Sequence, residues 1–214
     1  MKTKVLIISS LITCLLLFLV EQYTAISYLW KTLLKISLFV GIPVLVIKKF
    51  GGEFGFAKTK HTRWSLLWGA GFAGVVVAAY FILAQFIDLS HIASEIASLN
   101  INKTNYLLVG AYIIFVNSFL EEFFFRGYLF LNLKDKVSPI VAYAFPSFLF
   151  SVYHMAIFAT WFSPLVLGVS LFGLAAVGFF FNWLDAHENS LFPSWIAHIL
   201  CDVAVIGIGW FMFI

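Results

Sequence analysis

Apolar runs recur along this chain at a length that water-soluble proteins seldom use. They fall at about 5–20, 33–47, 65–87, 105–131, 138–158, 163–183 and 191–213. A helix needs about 20 apolar residues, within a range of about 17–25, to cross a hydrocarbon core ~30 Å thick. Inside that core each backbone N–H and C=O must be satisfied within its own segment, which makes helices the spanning form for runs this long. The expectation is an all-α, polytopic transmembrane helix bundle of about seven spanning helices, the first two runs being the shortest. Composition agrees. Of 214 residues 63% are hydrophobic and 11% charged, and the mean hydropathy is +1.02, whereas soluble domains carry about 25% charged residues. Such a chain cannot cover a water-facing surface, and its length suits a single integral membrane domain, residues 1–214.

The formal net charge of +3 is small and scattered, so nucleic acid is not an expected partner; the lipid bilayer is. The basic residues serve better as topology signals. Lys48, Lys49, Lys58, Lys60 and Arg63 gather between the second and third runs, which assigns that loop to the cytoplasm. Lys2 and Lys4 then fall on the same side, as two crossings require, so the N-terminus is expected to be cytoplasmic. Arg126, Lys134 and Lys136 follow the fourth run and agree. Seven crossings leave the C-terminus outside. Trp30, Trp64, Trp161, Trp183, Trp195 and Trp210 lie near the expected helix ends, as interfacial aromatics do. The opening run has the outline of a signal peptide, but no small-x-small site follows it, and it is kept as a first helix. Cys14 and Cys201 both sit in apolar runs, which argues against a disulfide framework. Leu89, Ile92, Ile96 and Leu99 form one stripe at helical spacing, fitting a short helix on the outer surface or packed on the bundle. Asn102-Lys103-Thr104 matches a glycosylation sequon, a weak signal.

Polar groups within the runs carry more information. An ionisable side chain at the centre of a spanning helix costs about 2.5–3.5 kcal/mol on insertion scales, so it is read first as functional. Asn117, Glu121, Glu122 and Arg126 lie in the fourth run, His154 in the fifth, His198 and Asp202 in the seventh. Glu122 and Arg126 are four apart, so they meet on one face and neutralise each other. Glu121 points about 100° away, at 3.6 residues per turn, and shares its face with Asn117. One carboxylate is paired on its own helix, while its neighbour must find a partner on another. Phe150 and His154 are also four apart, placing an aromatic ring one turn from the imidazole. His198 and Asp202 repeat the spacing, so the carboxylate can hold or polarise that imidazole. The bland alternatives are a packing histidine at His154 and an interfacial anchor at Arg126. Asp185, His187 and Glu188 are expected in a short cytoplasmic loop, where solvation accounts for them.

Three motifs now stand in order on three apolar segments. Glu121-Glu122-Phe123-Phe124-Phe125-Arg126 fits EExxxR, Phe150-Ser151-Val152-Tyr153-His154 fits FxxxH, and His198-Ile199-Leu200-Cys201-Asp202 fits HxxxN/D. Together they resemble the CPBP intramembrane proteases, a family that includes type II CAAX prenyl endopeptidases and bacterial proteins of bacteriocin maturation and self-immunity. Ser190-Leu191-Phe192-Pro193 resembles the lead-in to the last motif. The likeness covers about residues 105–205, the expected catalytic core, and leaves the first hundred residues without a signature.

The resemblance implies an intramembrane endopeptidase of the bacterial plasma membrane acting on a hydrophobic or lipidated peptide or protein, as in CAAX processing. Glu121 would activate water with His154 beside it, His198 and Asp202 would support the oxyanion, and Glu122 and Arg126 would be supporting structure, with Asn117 and Phe150 alongside. Asp202 stands where the family often has Asn; ionised, it would repel an oxyanion, so it must be protonated or act through His198. The family leans to a metal-free mechanism without a cofactor. Glu121, His154 and His198 are nevertheless a ligand set known from zinc sites, although no HExxH helix is present. A different class of function, a non-catalytic membrane regulator or bacteriocin-immunity partner, would use the same helices. An ion transporter fits less well, because the ionisable groups converge at one depth.

Overall fold

The computed structural model describes residues 2–24, 26–86, 90–159 and 162–213. Among these residues the structure is helical, with one isolated bridge between Phe56 and Ser190. The helices are α1 (Thr3–Tyr23), α2 (residues 28–50), α3 (Thr62–Leu83), α4 (Ser90–Ser98), α5 (Tyr106–Leu133), α6 (Pro139–Phe158), α7 (Pro164–Glu188) and α8 (Phe192–Phe213).

Local chemistry sets the ends. Pro139 and Pro164 open α6 and α7 after Ser138 and Ser163 in extended backbone; proline has no N–H to leave unsatisfied in a first turn, and its fixed φ suits that position. Asn189, at φ 51°, closes α7 in the left-handed conformation that asparagine tolerates. Two helices are not regular throughout. In α2 the turn Ser37–Gly41 is widened to π geometry just before Pro43, where a proline ring would crowd the carbonyl of Phe39 in a regular helix. In α5 two π stretches, Tyr112–Asn117 and Phe123–Phe130, flank the regular turn Ser118–Glu122. π turns often mark functional positions.

Six helices are long and apolar enough to cross a membrane: α1, α3, α5, α6, α7 and α8. The chain is a multi-pass integral membrane protein with an all-α fold. The sequence count of seven differs at the second run. Its helix has 23 residues, about 34 Å at 1.5 Å per residue, but it carries four lysines and is interrupted by the widened turn Ser37–Gly41. The short helix expected between the third and fourth runs forms as α4, with Ile92 and Ile96 half-buried; Leu89 and Trp161 lie outside the described residues. Asp185 departs from expectation. It is buried on α7 rather than solvated in a loop. Gly178, Phe181, Asn182 and Asp185 are all buried at i, i+3, i+4, i+7, one stripe of the helix.

The chain divides into two compact units, residues 1–59 with 120–192 and residues 60–119 with 193–214. In the first, α6 and α7 pack closely: a side chain on Gly178 would meet the Cα of Ser147 at 3.0 Å. Asn182 Nδ2 donates to Ser147 Oγ at 3.0 Å and to the Tyr143 carbonyl at 3.1 Å. The core of this unit is aromatic. Phe39 stacks on Phe124 at 4.3 Å and meets Phe125 edge-on, while Phe125 meets Phe150 at 5.3 Å. A loop of residues 51–57 lies over Gly127, where a Cβ would stand 2.6 Å from the Phe54 carbonyl oxygen. Asn132 pins that loop, accepting from the Glu53 N–H at 2.9 Å and donating to the Glu53 carbonyl at 2.8 Å.

In the second unit small residues again bring helices together, as they do where lipid removes the hydrophobic drive for association. A Cβ on Gly69 of α3 would meet Ala197 of α8 at 2.8 Å, and one on Gly110 of α5 would meet Ile206 at the same distance. Tyr106 donates to the Ile206 carbonyl at 2.9 Å, and Trp195 Nε1 donates to Ser118 Oγ at 3.1 Å.

A buried carboxylate between a lysine and a histidine

The two adjacent carboxylates of α5 separate as their spacing predicts. Glu122 and Arg126 form a buried i,i+4 pair, Nη1 donating to Oε1 at 3.0 Å. The guanidinium lies over the rings of Phe150 and Phe181, at 4.4 and 5.1 Å from their centres. This pair is enclosed by aromatic walls.

Glu121 is 1% exposed and meets two other helices. Its Oε1 accepts from Lys35 Nζ at 2.7 Å, and its Oε2 lies 3.7 Å from His154 Nε2. The motif residues Glu121 and His154 are thus brought together, with Phe150 against the His154 ring at 4.6 Å as the spacing implied. Lys35 is the member that sequence reasoning missed. It comes from α2, 86 residues away, and its ammonium sits 5.1 Å from the centre of the Tyr153 ring and 5.3 Å from that of Phe39. A signal for it did exist. Lys35 stands among Leu33, Leu34 and Ile36, where an uncompensated lysine near mid-membrane costs about 2.5–3.5 kcal/mol.

The protonation of His154 follows from its contacts. Nδ1 lies 2.8 Å from the Phe150 carbonyl, which can only accept, so Nδ1 carries hydrogen. A neutral His154 therefore turns the lone pair of Nε2 towards Glu121 Oε2. Two acceptors then stand 3.7 Å apart, and a group with two O–H donors can bridge them. A water about 2.8 Å from each, the usual O–H···acceptor distance, has the required form. Lys35 and Glu121 leave this region without net charge. The nearest donors to any added cation are one carboxylate and one imidazole, with an ammonium already on the carboxylate. Among the described residues no three His, Cys, Asp or Glu side chains gather closely enough to hold a metal ion.

The third motif is on α8, in the second unit. His198 is buried, and its Nε2 lies 3.7 Å from Asp202 Oδ1, the i,i+4 relation read from sequence. Asn117 ends the first π stretch of α5 and is half-buried.

The chain is thus a multi-pass helical membrane protein that buries an acid–histidine pair among its helices. The family model of the type II CAAX prenyl endopeptidase Rce1-like proteins matches residues 103–204. That segment, a little under half of the chain, holds all three motifs, and over it the chain is similar to this family. Neither a curated protein nor a solved structure matches the chain.

Proposed function

We propose that this protein is an intramembrane endopeptidase that hydrolyses a peptide bond in a prenylated or otherwise hydrophobic peptide. The observation that carries this reading is the facing of Glu121 Oε2 and His154 Nε2 across 3.7 Å in a buried setting. A water held by both has its two hydrogens engaged and its lone pairs directed at an incoming carbonyl. Glu121 takes one proton as general base while the water oxygen bonds to the carbonyl carbon, and the π electrons move to the carbonyl oxygen. Collapse of the tetrahedral intermediate breaks the C–N bond, and the proton on Glu121 passes to the leaving amine. The resemblance gives His198, with Asp202, the support of the oxyanion. Burial raises the strength of each electrostatic contribution by excluding water.

The test uses purified protein in detergent and an internally quenched peptide carrying farnesyl-cysteine four residues from its C-terminus. Wild-type protein should cleave it. Glu121→Gln keeps an acceptor for Lys35 and should fold, yet lose activity by at least about a hundredfold, the usual contribution of a positioned base. His154→Ala should fall similarly. The second reading, a non-catalytic membrane partner, draws on the ion pair to Lys35, because a carboxylate held by an ammonium is a weaker base. Cleavage by neither wild-type nor variant, with the cellular phenotype unchanged in Glu121→Gln, decides for it.

A further inference from the structure

Lys35 lies outside the matched residues 103–204, in the part of the chain that carries no motif, and it is the nearest charged group to Glu121. The helix that carries it has no packing need for a lysine there. Around it stand Leu34, Ile36 and Phe39, and the ammonium is enclosed by the Phe39 and Tyr153 rings and the Glu121 carboxylate. Tyr153 and Cys14 are the other titratable groups within its electrostatic reach. Both are neutral in their ordinary forms. Of the groups acting on the ammonium, Glu121 brings the full negative charge and Tyr153 a hydrogen-bonding hydroxyl.

The geometry is selective between the two carboxylate oxygens. Lys35 holds Oε1 at 2.7 Å, while Oε2 is left towards His154. A carboxylate anchored by one oxygen loses the rotation that would exchange the two, so the lone pairs available for a proton are fixed on the His154 side. Lys35 itself comes from a helix with a widened turn, Ser37–Gly41, directly after it.

The second consequence concerns charge. Before reaction, the ammonium and carboxylate sum to zero. When Glu121 takes the proton of water, its O–H bond forms, the water O–H bond breaks, and the new O–C bond transfers the negative charge to the carbonyl oxygen. Glu121 is then neutral, and the ammonium is left to balance the oxyanion. Net charge in the buried region is zero before and after, so no isolated charge has to be created in a low-dielectric interior, where it would be most costly.

We infer that Lys35 is the positioning residue of the base, fixing Glu121 so that Oε2 faces His154 and balancing the charge of the tetrahedral intermediate. This rests on the proteolytic reading above. It assigns a part in the reaction to α2, a helix the motifs do not include.

The experiment compares Lys35→Gln, Lys35→Arg and Lys35→Met with wild-type protein on the same farnesylated quenched peptide, together with melting temperatures in the same detergent. Gln offers a neutral donor one bond shorter in reach than the ammonium, while Arg keeps both the donor and the charge. Lys35→Gln should lower kcat on the order of a hundredfold, as loss of one electrostatic partner of a transition state does, with KM within about twofold because no substrate contact is lost. Lys35→Arg should recover much of the kcat. A purely structural lysine would instead order the variants by melting temperature. If Lys35→Met unfolds, the Gln and Arg pair still decides. Wild-type kcat in Lys35→Gln, or equal loss in Gln and Arg, overturns the inference while leaving Glu121 as base. Full cleavage by Glu121→Gln, or none by wild-type protein, overturns the proteolytic reading and this inference with it.

Discussion

Arg126 donates to Glu122 at 3.0 Å while its guanidinium lies 4.4 Å from the centre of the Phe150 ring. The residue that opens the FxxxH motif therefore touches both the structural pair of α5 and, at 4.6 Å, the imidazole of His154. One aromatic ring thus contacts both the Arg126 guanidinium and the His154 imidazole. It holds the arginine by its face and the histidine by its position on α6.

Arg126→Ala should consequently damage the fold before the chemistry. Removing one partner of a buried pair strands the other, at a cost of about 3–5 kcal/mol. The expected result is a lower melting temperature and a lower protein level. Adding Glu122→Gln to Arg126→Ala should recover part of that loss, because the stranded charge is then gone. A double variant no more stable than the single one would show that Arg126 acts through the Phe150 and Phe181 rings alone.

The pairs on a single helix were legible because both partners are four residues apart in one segment. Glu122 with Arg126, Phe150 with His154, and His198 with Asp202 all form contacts that spacing implied. Lys35 was not legible in the same way. Its partner is on another helix, and although it lies inside the second run, basic residues were read as topology signals. Asp185 was misplaced for a related reason: the run was ended too early, although Gly178, Phe181 and Asn182 already marked a buried stripe that reaches it. The π stretches in α2 and α5 have no periodic signal of their own beyond Pro43.

The loop over Gly127 offers a second test of the fold. Asn132 supplies both hydrogen bonds to Glu53, and it also donates to the Gly127 and Tyr128 carbonyls. Asn132→Ala leaves the Glu53 N–H and carbonyl without these partners. Glu53 is exposed, so water can take over these bonds, and a loss of about 0.5–1.5 kcal/mol is expected for a net hydrogen bond. It should appear as a lower melting temperature and as new protease cleavage within residues 51–57, with the α6–α7 packing intact. Unchanged cleavage of that loop would mean that Gly127 and Leu191 hold it without Asn132.

Topology is testable through the lysine clusters. Read as cytoplasmic signals, they predict the loop around Lys58 inside and Ser94 outside, which requires α2 to cross the membrane despite its lysines. The pairing of Lys35 with Glu121 removes the largest obstacle to that crossing. With the native cysteines replaced, a cysteine at Ser94 should react with a membrane-impermeant maleimide in intact cells. One at Lys58 should react only after the cells are opened. The reverse pattern would invert the assignment, and labelling of both from outside would mean that α2 does not cross.

Catalytic type is the last point on which the chemistry divides. Glu121, His154 and His198 are residue types that bind zinc, but the Glu121 carboxylate is already held by an ammonium at 2.7 Å. A dication on the same carboxylate would have to expel Lys35 or stand beside it, and either arrangement is costly in a buried region where like charges are weakly screened. Proton transfer to Glu121 asks for no such rearrangement. Purified protein should therefore contain far less than one equivalent of zinc. Cleavage of the farnesylated peptide should persist after strong chelation and dialysis. Lys35→Met sharpens the comparison, since losing the ammonium opens the carboxylate to a cation; its zinc content should rise above that of the wild type. Stoichiometric zinc in wild-type protein, with activity lost on chelation and restored by adding the metal back, would replace the water activation by Glu121 and His154 with a metal-bound water.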